Sequence, residues 1–331
     1  MIYQDRLYGK TDIKEPVFIE LIKSQTMQRL KGIDQAGYLT LTTPKKSYSR
    51  FEHSLGVFCL LRKYNSSLEE QVAGIIHDVS HSAFSHTIDY VLKQGSEKEH
   101  NHQDNIFHQF VNNSEIPGIL GKHGIKIGYI LDDTNFPLKE RTLPDLCADR
   151  IDYTLRNILT YKDYIPSEEN VGIEDILGNL IVIDNKWVFR NIKNAEIFAS
   201  IFSWLNKNFY SSRPTVAMFK TTADYLRYSL ESGYITEEDL YTTDDNVLQK
   251  INQHLGEDSH LKLLQQRIKN FNSHLGNKND YDAVVFCKSR AVNPLCIHNG
   301  NIRRLSELYE DWARRLQDEL KPKEYFIKFY D

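Results

Sequence analysis

A chain of 331 residues with 40% hydrophobic and 11% aromatic content is long enough to bury a large core, which excludes disordered and fibrous proteins. The 41 Lys and Arg residues against 45 Asp and Glu give a formal charge of -4, so the composition predicts neither a membrane partner nor a strong nucleic-acid partner. No stretch approaches the roughly 20 apolar residues of a membrane span. Met1 to Lys10 contains no apolar signal segment, and we therefore expect a cytoplasmic protein.

Apolar periodicity predicts helices through the first two-thirds of the chain. Pro16 to Ile33 carries an apolar stripe of helical spacing. Ser54 to Tyr64 is an apolar helix that opens directly after Arg50-Phe51-Glu52-His53, and Leu68 to His77 is the next helix. The pattern predicts a mostly α-helical body.

The apolar period changes twice towards the C-terminus. Asn179 to Phe189 predicts a small β-hairpin on the helical body. Near the end we predict strands at Ala283 to Val292, Leu295 to His298 and Tyr325 to Tyr330, with an amphipathic helix at Ile302 to Leu320. This order indicates a small C-terminal α+β subdomain. We place the domain boundary between residues 1–235 and 236–331, and the helix at 302–320 either docks on the body or forms a dimer contact.

Half of the 12 histidines fall within a short part of the chain, namely His53, His77, His81, His86, His100 and His102. Histidine is the commonest metal ligand and carries protons near neutral pH, so this clustering suggests a metal site. The His77-Asp78 pair ends an apolar helix, where neighbouring nitrogen and oxygen ligands can turn towards one ion. His81 lies four residues further along the same face. The alternative is a solvated helix surface, which we expect for His100 and His108.

Three segments, in this order, resemble the HD-domain phosphohydrolases. They are Ser-Arg-Phe-Glu-His-Ser-Leu-Gly-Val at 49–57, Ile-His-Asp-Val-Ser-His-Ser-Ala-Phe-Ser-His at 76–86 and Ala-Asp-Arg-Ile-Asp-Tyr at 148–153. Within that superfamily the first and third segments are most similar to the deoxynucleoside triphosphate triphosphohydrolases of the SAM-and-HD-domain type. The resemblance covers about Tyr8 to Arg156 and places the HD-type domain within residues 1–235. Because such relatives tend to be oligomeric, we expect a homo-oligomer.

The resemblance implies that His53, His77, Asp78 and Asp149 are the ligands of a divalent metal ion. Four ligands of mixed nitrogen and oxygen type leave room on a six-coordinate ion for water and a phosphate oxygen. This favours magnesium, manganese or iron over a closed structural zinc site.

The same resemblance implies roles for further residues. His81 lies beside the α-phosphate, and His102 transfers a proton with support from Asp89. Arg50 and Arg150 hold phosphate oxygens, with structural salt bridges as the alternative for both. The positions implied to contact the substrate are Gln35, Arg50, His86, Arg150, Tyr153 and Asn157.

Two positions depart from the triphosphohydrolase pattern and leave the substrate open. Ala36 replaces a bulky leucine, and Asn157 replaces an aspartate that contacts the sugar. The first hypothesis is hydrolysis of (deoxy)nucleoside triphosphates to nucleoside and triphosphate. The second is hydrolysis of another phosphate ester, such as a nucleoside monophosphate. The third is a regulatory nucleotide-binding module without turnover.

Overall fold

Helices form most of the body of the protein, as the apolar periodicity predicts. The structure, a computed structural model, describes residues 1–37, 48–165, 172–271 and 274–330. In chain order its helices are α1 (Pro16–Lys23), α2 (Gln25–Arg29), α3 (Arg50–Lys63), α4 (Leu68–Ile76), α5 (His102–Asn112), α6 (Ile116–Lys122), α7 (Ile127–Ile130), α8 (Ala148–Tyr161), α9 (Ile173–Asn179), α10 (Ile192–Leu205), α11 (Arg213–Glu231), α12 (Asp244–Asn252), α13 (Ser259–Lys269), α14 (Leu305–Leu308) and α15 (Glu310–Glu319). Among these described helices, none is both long and apolar enough to cross a membrane.

The apolar stripe from Pro16 to Ile33 is divided between two helices and a 3-10 turn at Leu30–Gly32. The break is at Ser24, whose backbone is extended (φ -61°, ψ 150°) and whose hydroxyl accepts a hydrogen bond from the Met27 N–H. A serine in this conformation caps a new helix instead of continuing the old one. The single helix predicted for this stretch was therefore wrong, although its apolar side chains are buried as expected.

Helix α3 lies at the centre of the molecule. It begins at Arg50, four residues before the predicted start, because Ser49 and Glu52 form a reciprocal capping box. Its side chains enter two apolar clusters, with Val57 and Leu60 in one and Leu55 and Phe58 in the other. A helix buried on nearly all sides can hold polar side chains at its first turn away from bulk water.

The β-structure is small and partly shared between distant parts of the chain. The strands are β1 (Ile2–Asp5), β2 (Gly9–Asp12), β3 (Leu180–Ile183), β4 (Lys186–Phe189), β5 (Ala283–Cys287), β6 (Leu295–His298), β7 (Asn301–Arg304) and β8 (Lys323–Ile327). The predicted hairpin is confirmed as β3 and β4. Strand β4 also pairs in parallel with β6 at Val188 and Leu295, which gives the sheet order β3-β4-β6-β7. Strands β5 and β8 pair antiparallel.

The C-terminal elements differ in detail from the prediction. The residues expected to open the helix at Ile302 instead form β7, because Asn299 and Gly300 (φ 49° and 76°) turn the chain back onto β6. The helix then breaks at Tyr309, whose backbone is extended, into α14 and α15. Helix α15 docks on the body through Trp312, which packs on the same apolar cluster as Val57. The domain boundary after residue 235 stays a prediction.

Candidate active site

The four side chains predicted as metal ligands lie together. His53 is in the first turn of α3, His77 caps the end of α4 with Asp78 beside it, and Asp149 is in the first turn of α8. The Asp149 Oδ1 atom lies 2.8 Å from the His53 Nε2 and 3.5 Å from the His77 Nε2. The Asp78 carboxylate lies 3.4 Å from His77 and 3.8 Å from His53.

The other ring nitrogen of each histidine is already used. The His53 Nδ1 donates to Asp152 Oδ2 at 2.7 Å, and the His77 Nδ1 donates to the Gly74 carbonyl at 2.8 Å. With both Nδ1 atoms protonated, each Nε2 can present a lone pair to a metal ion or carry a further proton, and the two Nε2 atoms lie 3.3 Å apart beside the Asp149 carboxylate. Nitrogen and oxygen donors this close together need a proton or a metal cation between them. The donor set therefore fits a divalent metal ion.

The charges of the cluster also favour a bound cation. Burial alone would lower the pKa of His53, but hydrogen bonds to Asp149 and Asp152 raise it to about 9. Burial would raise the pKa of Asp149, yet His53 and His77 hold that pKa well below its usual range. The carboxylates thus attract positive charge to the point where the lone pairs meet.

Arg50, which was predicted to bind phosphate, is held mainly by the protein itself. It is 2% exposed, and its Nη1 donates to Asp78 Oδ2 at 2.8 Å. Its Nη2 donates to the Gln35 carbonyl at 2.9 Å, and its Nε donates to the Ser85 hydroxyl at 3.0 Å. Beside Arg50, the pKa of Asp78 falls far below its usual range despite burial. Arg50 thereby orients a predicted metal ligand.

Arg150 is also engaged. Its Nη1 donates to the Asp145 carbonyl, its Nη2 donates to the Arg141 carbonyl at 3.2 Å, and the guanidinium lies 3.5 Å from Glu140. Both arginines thus form the structural salt bridges that we gave as the alternative to phosphate binding.

A cavity of about 650 Å³ opens beside the cluster. His77, Asp78 and Asp149 line it, whereas His53 is completely buried behind them. The predicted residues Gln35, Arg50, His81, His86, Arg150 and Tyr153 also line the cavity. The cationic side chains on its described walls are Arg50, Lys98, Lys139, Arg141, Arg150, Lys288 and Arg290.

The structure brings His100, rather than His102, to this cavity. His100 is only 4% exposed, so the surface position predicted for it was wrong. Its backbone has a positive φ of 48°, and its buried ring stacks on His86 with ring centroids 5.0 Å apart. The His102 ring instead lies 3.1 Å from the Tyr241 hydroxyl and does not line the cavity. Asp89 does contact His102, but it accepts from the backbone N–H, and its side chain is 3.3 Å from the His86 ring.

Asn157 lies outside the cavity lining, like His102 and Asp89. Its Nδ2 donates to the Tyr210 hydroxyl at 2.9 Å, and its Oδ1 lies 3.3 Å from the Tyr48 hydroxyl. Its predicted sugar contact therefore remains a prediction. His108, by contrast, is exposed as expected and lies at the rim.

Residues 50–157 match the model of the HD domain. The chain is 41% identical over 249 residues to the uncharacterized protein YdhJ of Bacillus subtilis, covering 75% of this chain and 74% of that one. It is 28% identical to the metal-dependent phosphohydrolase cns2 of Cordyceps militaris, covering 74% and 71% of the two chains. Deoxynucleoside triphosphate triphosphohydrolase SAMHD1 of Mus musculus is 30% identical over 144 residues, or 38% of this chain and 22% of that one. The chain belongs to the HD-domain family of metal-dependent phosphohydrolases.

Proposed function

We propose that this HD phosphohydrolase cleaves nucleoside triphosphates, with deoxynucleotides as the preferred class, to nucleoside and triphosphate. The observation that carries the proposal is the set of seven lysine and arginine side chains among the described residues that line the cavity, where they face six carboxylates that include the predicted metal ligands Asp78 and Asp149. A triphosphate brings several negative charges into one site, and Lys and Arg side chains are the groups that stabilise them. A volume of about 650 Å³ is within the range of ordinary small-molecule sites.

His53, His77, Asp78 and Asp149 would hold the metal ion, which we expect to be magnesium, manganese or iron. When bound, such an ion polarises a phosphoryl oxygen and lowers the pKa of water. The chain itself holds these ligands in place, because Asp152 fixes the tautomer of His53 and Arg50 orients Asp78. The site is thus organised before the substrate arrives.

The histidines on the other side of the cavity are suited to bind phosphate and move protons. Burial lowers the pKa of His81, His86 and His100 well below the usual value, so all three are neutral at pH 7. Substrate phosphates would raise these pKa values by adding negative charge nearby. A neutral histidine that gains a proton on contact with phosphate can pass it to a leaving oxygen. His100 is better placed for this role than His102.

Similarity to the mouse triphosphohydrolase supports the substrate class, although it spans only 38% of this chain. A second candidate, hydrolysis of a nucleoside monophosphate or another phosphate ester, is favoured by Asn157. Its amide is held by Tyr210 and Tyr48 outside the cavity lining, away from the sugar position that the resemblance assigns to it.

Incubation of the purified protein with each deoxynucleoside and ribonucleoside triphosphate, with manganese or magnesium, would test the proposal. We expect chromatography to show nucleoside and triphosphate, and we expect neither product with His77→Ala or Asp149→Ala. Orthophosphate released from monophosphates alone would support the second candidate. Tight nucleotide binding without any product would support a regulatory module.

A further inference from the structure

A segment from the C-terminal region brings two cations to the predicted active site. After β5 the burial pattern keeps its period of two. Cys287 and Ser289 are buried, whereas Lys288 and Arg290 are half-buried on the other face. Lys288 and Arg290 form part of the wall of the 650 Å³ cavity, together with Ser289 between them and with Leu320 and Pro322. More than 120 residues of sequence separate the two cations from the HD motifs.

The backbone of this segment is fixed by buried polar contacts. Asn206 is 1% exposed, and its Nδ2 donates to the Ser289 hydroxyl at 3.0 Å. Its Oδ1 accepts from the Arg290 N–H at 2.9 Å. The Ser289 hydroxyl in turn donates to the Glu319 carbonyl at 2.6 Å. A segment held in this way presents its side chains to the cavity without losing further backbone freedom on binding.

Among the residues that the structure describes, no carboxylate lies within ion-pair distance of Lys288 or Arg290. Glu99, Asp104 and Arg150 are near enough to influence Lys288. Burial and the neighbouring Arg290 together lower the pKa of Lys288 to about 8. Glu99 and Asp104 offset part of this positive charge from a greater distance, and a phosphate that contacts both cations would supply the close counter-ion that the described residues do not.

Arg290 reaches the histidine side of the cavity. Its charge influences His86, His100 and Tyr153, all of which line that cavity. Lys98 also lines the cavity. Its ammonium lies 4.1 Å from the centre of the Phe286 ring, which is in β5 close to Lys288 in sequence. Lys98, Lys288 and Arg290 therefore line the same cavity as the predicted metal ligands.

We propose that Lys288 and Arg290 bind the phosphate groups of the substrate beyond the one held at the metal ligands, so that the C-terminal region selects for a polyphosphate chain. The inference rests on the proposed function, because it concerns the phosphates of the same substrate. Arg50 and Arg150 line the same cavity but already donate to the protein's own carboxylate and carbonyl groups, whereas the side chains of Lys288 and Arg290 form no hydrogen bond within the described residues. An arginine can hold two phosphate oxygens at once, and a lysine adds a point charge.

The test measures binding of inorganic tripolyphosphate and of orthophosphate to the manganese-loaded protein by calorimetry. We expect Lys288→Gln with Arg290→Gln to weaken tripolyphosphate binding at least about tenfold, because charge-assisted hydrogen bonds are lost. Orthophosphate binding should change less than about threefold. Lys288→Arg with Arg290→Lys should restore most of the tripolyphosphate affinity. Lys122→Gln with Arg314→Gln, which removes two exposed charges outside the cavity lining, is the matched control.

An unchanged tripolyphosphate affinity, or an equal loss for both anions, would overturn the inference. In nucleotide assays the double variant should also raise KM for triphosphates more than it lowers kcat. The two proposals fail separately. If the wild type hydrolyses no nucleotide but the double variant still loses tripolyphosphate binding, only the proposed function is contradicted. Triphosphate release by the wild type with no effect of the double variant would contradict only the role of Lys288 and Arg290.

Discussion

Asp152 determines which nitrogen of His53 faces the predicted metal ion. It is completely buried, accepts from the His53 Nδ1 at 2.7 Å, and is itself held by Arg156 Nε at 2.7 Å. Arg156 also contacts Asp5 in β1 at 2.7 Å. One buried network thus links the N-terminal hairpin to the orientation of a predicted ligand. Buried ion pairs of this kind stabilise only while every partner is present.

Metal affinity should depend on pH through His53. The two carboxylates raise its pKa to about 9, so below that pH a proton competes with the metal for the Nε2 atom. We expect the apparent affinity for manganese to fall by about tenfold for each pH unit from 8 to 6. Competition with a fluorescent chelator would measure it. Asp152→Asn should shift the loss to lower pH, because one carboxylate charge is removed. A pH-independent affinity would show that His53 is not a ligand.

At the scale of elements, Gly56 sets the distance between α3 and α8. A Cβ at this position would lie 1.9 Å from Arg156 Nη2 and 2.2 Å from Asp152 Oδ1. Alanine normally stabilises an exposed helix by about 1 kcal/mol relative to glycine. Here it would displace the charged pair that supports His53. The helix contact and the predicted metal site therefore depend on the same glycine.

We expect Gly56→Ala to lower the free energy of unfolding by about 1–3 kcal/mol, as overpacking in a core does, and to weaken metal binding. Urea denaturation and metal titration would measure the two effects. Gly121→Ala is the matched control, because Gly121 also lies in a helix and no atom of the described residues lies within 4 Å of the added Cβ. If the two variants were equally stable, the close contact between α3 and α8 would be contradicted.

The first residue of α12, Asp244, binds the backbone of two segments that contribute residues to the cavity lining. Asp244 accepts from the Phe84 N–H at 2.8 Å through one carboxylate oxygen and from the Asp34 N–H at 2.9 Å through the other. Phe84 has a positive φ of 60° and lies between His81 and His86, whereas Asp34 precedes Gln35. Asp244 therefore connects α12 to both predicted substrate-contacting stretches.

Asp244→Ala should lower the free energy of unfolding by about 1–3 kcal/mol, because two buried N–H groups lose their acceptor. It should also raise KM, since the backbone around Gln35 and His86 loses its support. Asp245→Ala removes the exposed neighbouring charge and should change neither quantity appreciably. Thermal or urea unfolding together with the nucleotide assay would separate the two variants. Identical stability of both would argue against this connection.

Some parts of the molecule could be predicted because the residues that decide them are close in sequence. His77 and Asp78 are adjacent, and the capping box at Ser49 is local. Other parts depend on contacts across the chain. Strand β7 exists because a turn after β6 overrides helical periodicity. No local pattern indicates that Lys288 and Arg290 line the same cavity as the HD motifs, and no periodicity reveals the positive φ of His100 or the burial of its ring.

On the scale of the whole molecule, the predicted metal site joins the two apolar clusters around α3. The Asp149 helix, α8, packs Ile151 and Leu155 into the first cluster. The His77 end of α4 packs Ile75 and Ile76 into the second. A cation bound by both sides, and by His53 between them, would hold the two clusters in their native arrangement. Since the unfolded chain cannot bring these ligands together, metal binding should stabilise the folded state.

Removal of the metal should therefore lower the melting temperature of the whole domain. A ligand at a hundredfold excess over its Kd stabilises by about 2.7 kcal/mol, which corresponds to roughly 4 °C for a chain of this size. Calorimetry of the manganese-loaded protein with and without a chelator would measure the shift. His77→Ala, which removes one ligand, should melt at the same temperature under both conditions. An equal shift in that variant would mean that the ion binds elsewhere, because the lone pairs of His53, His77 and Asp149 could then not be its ligands.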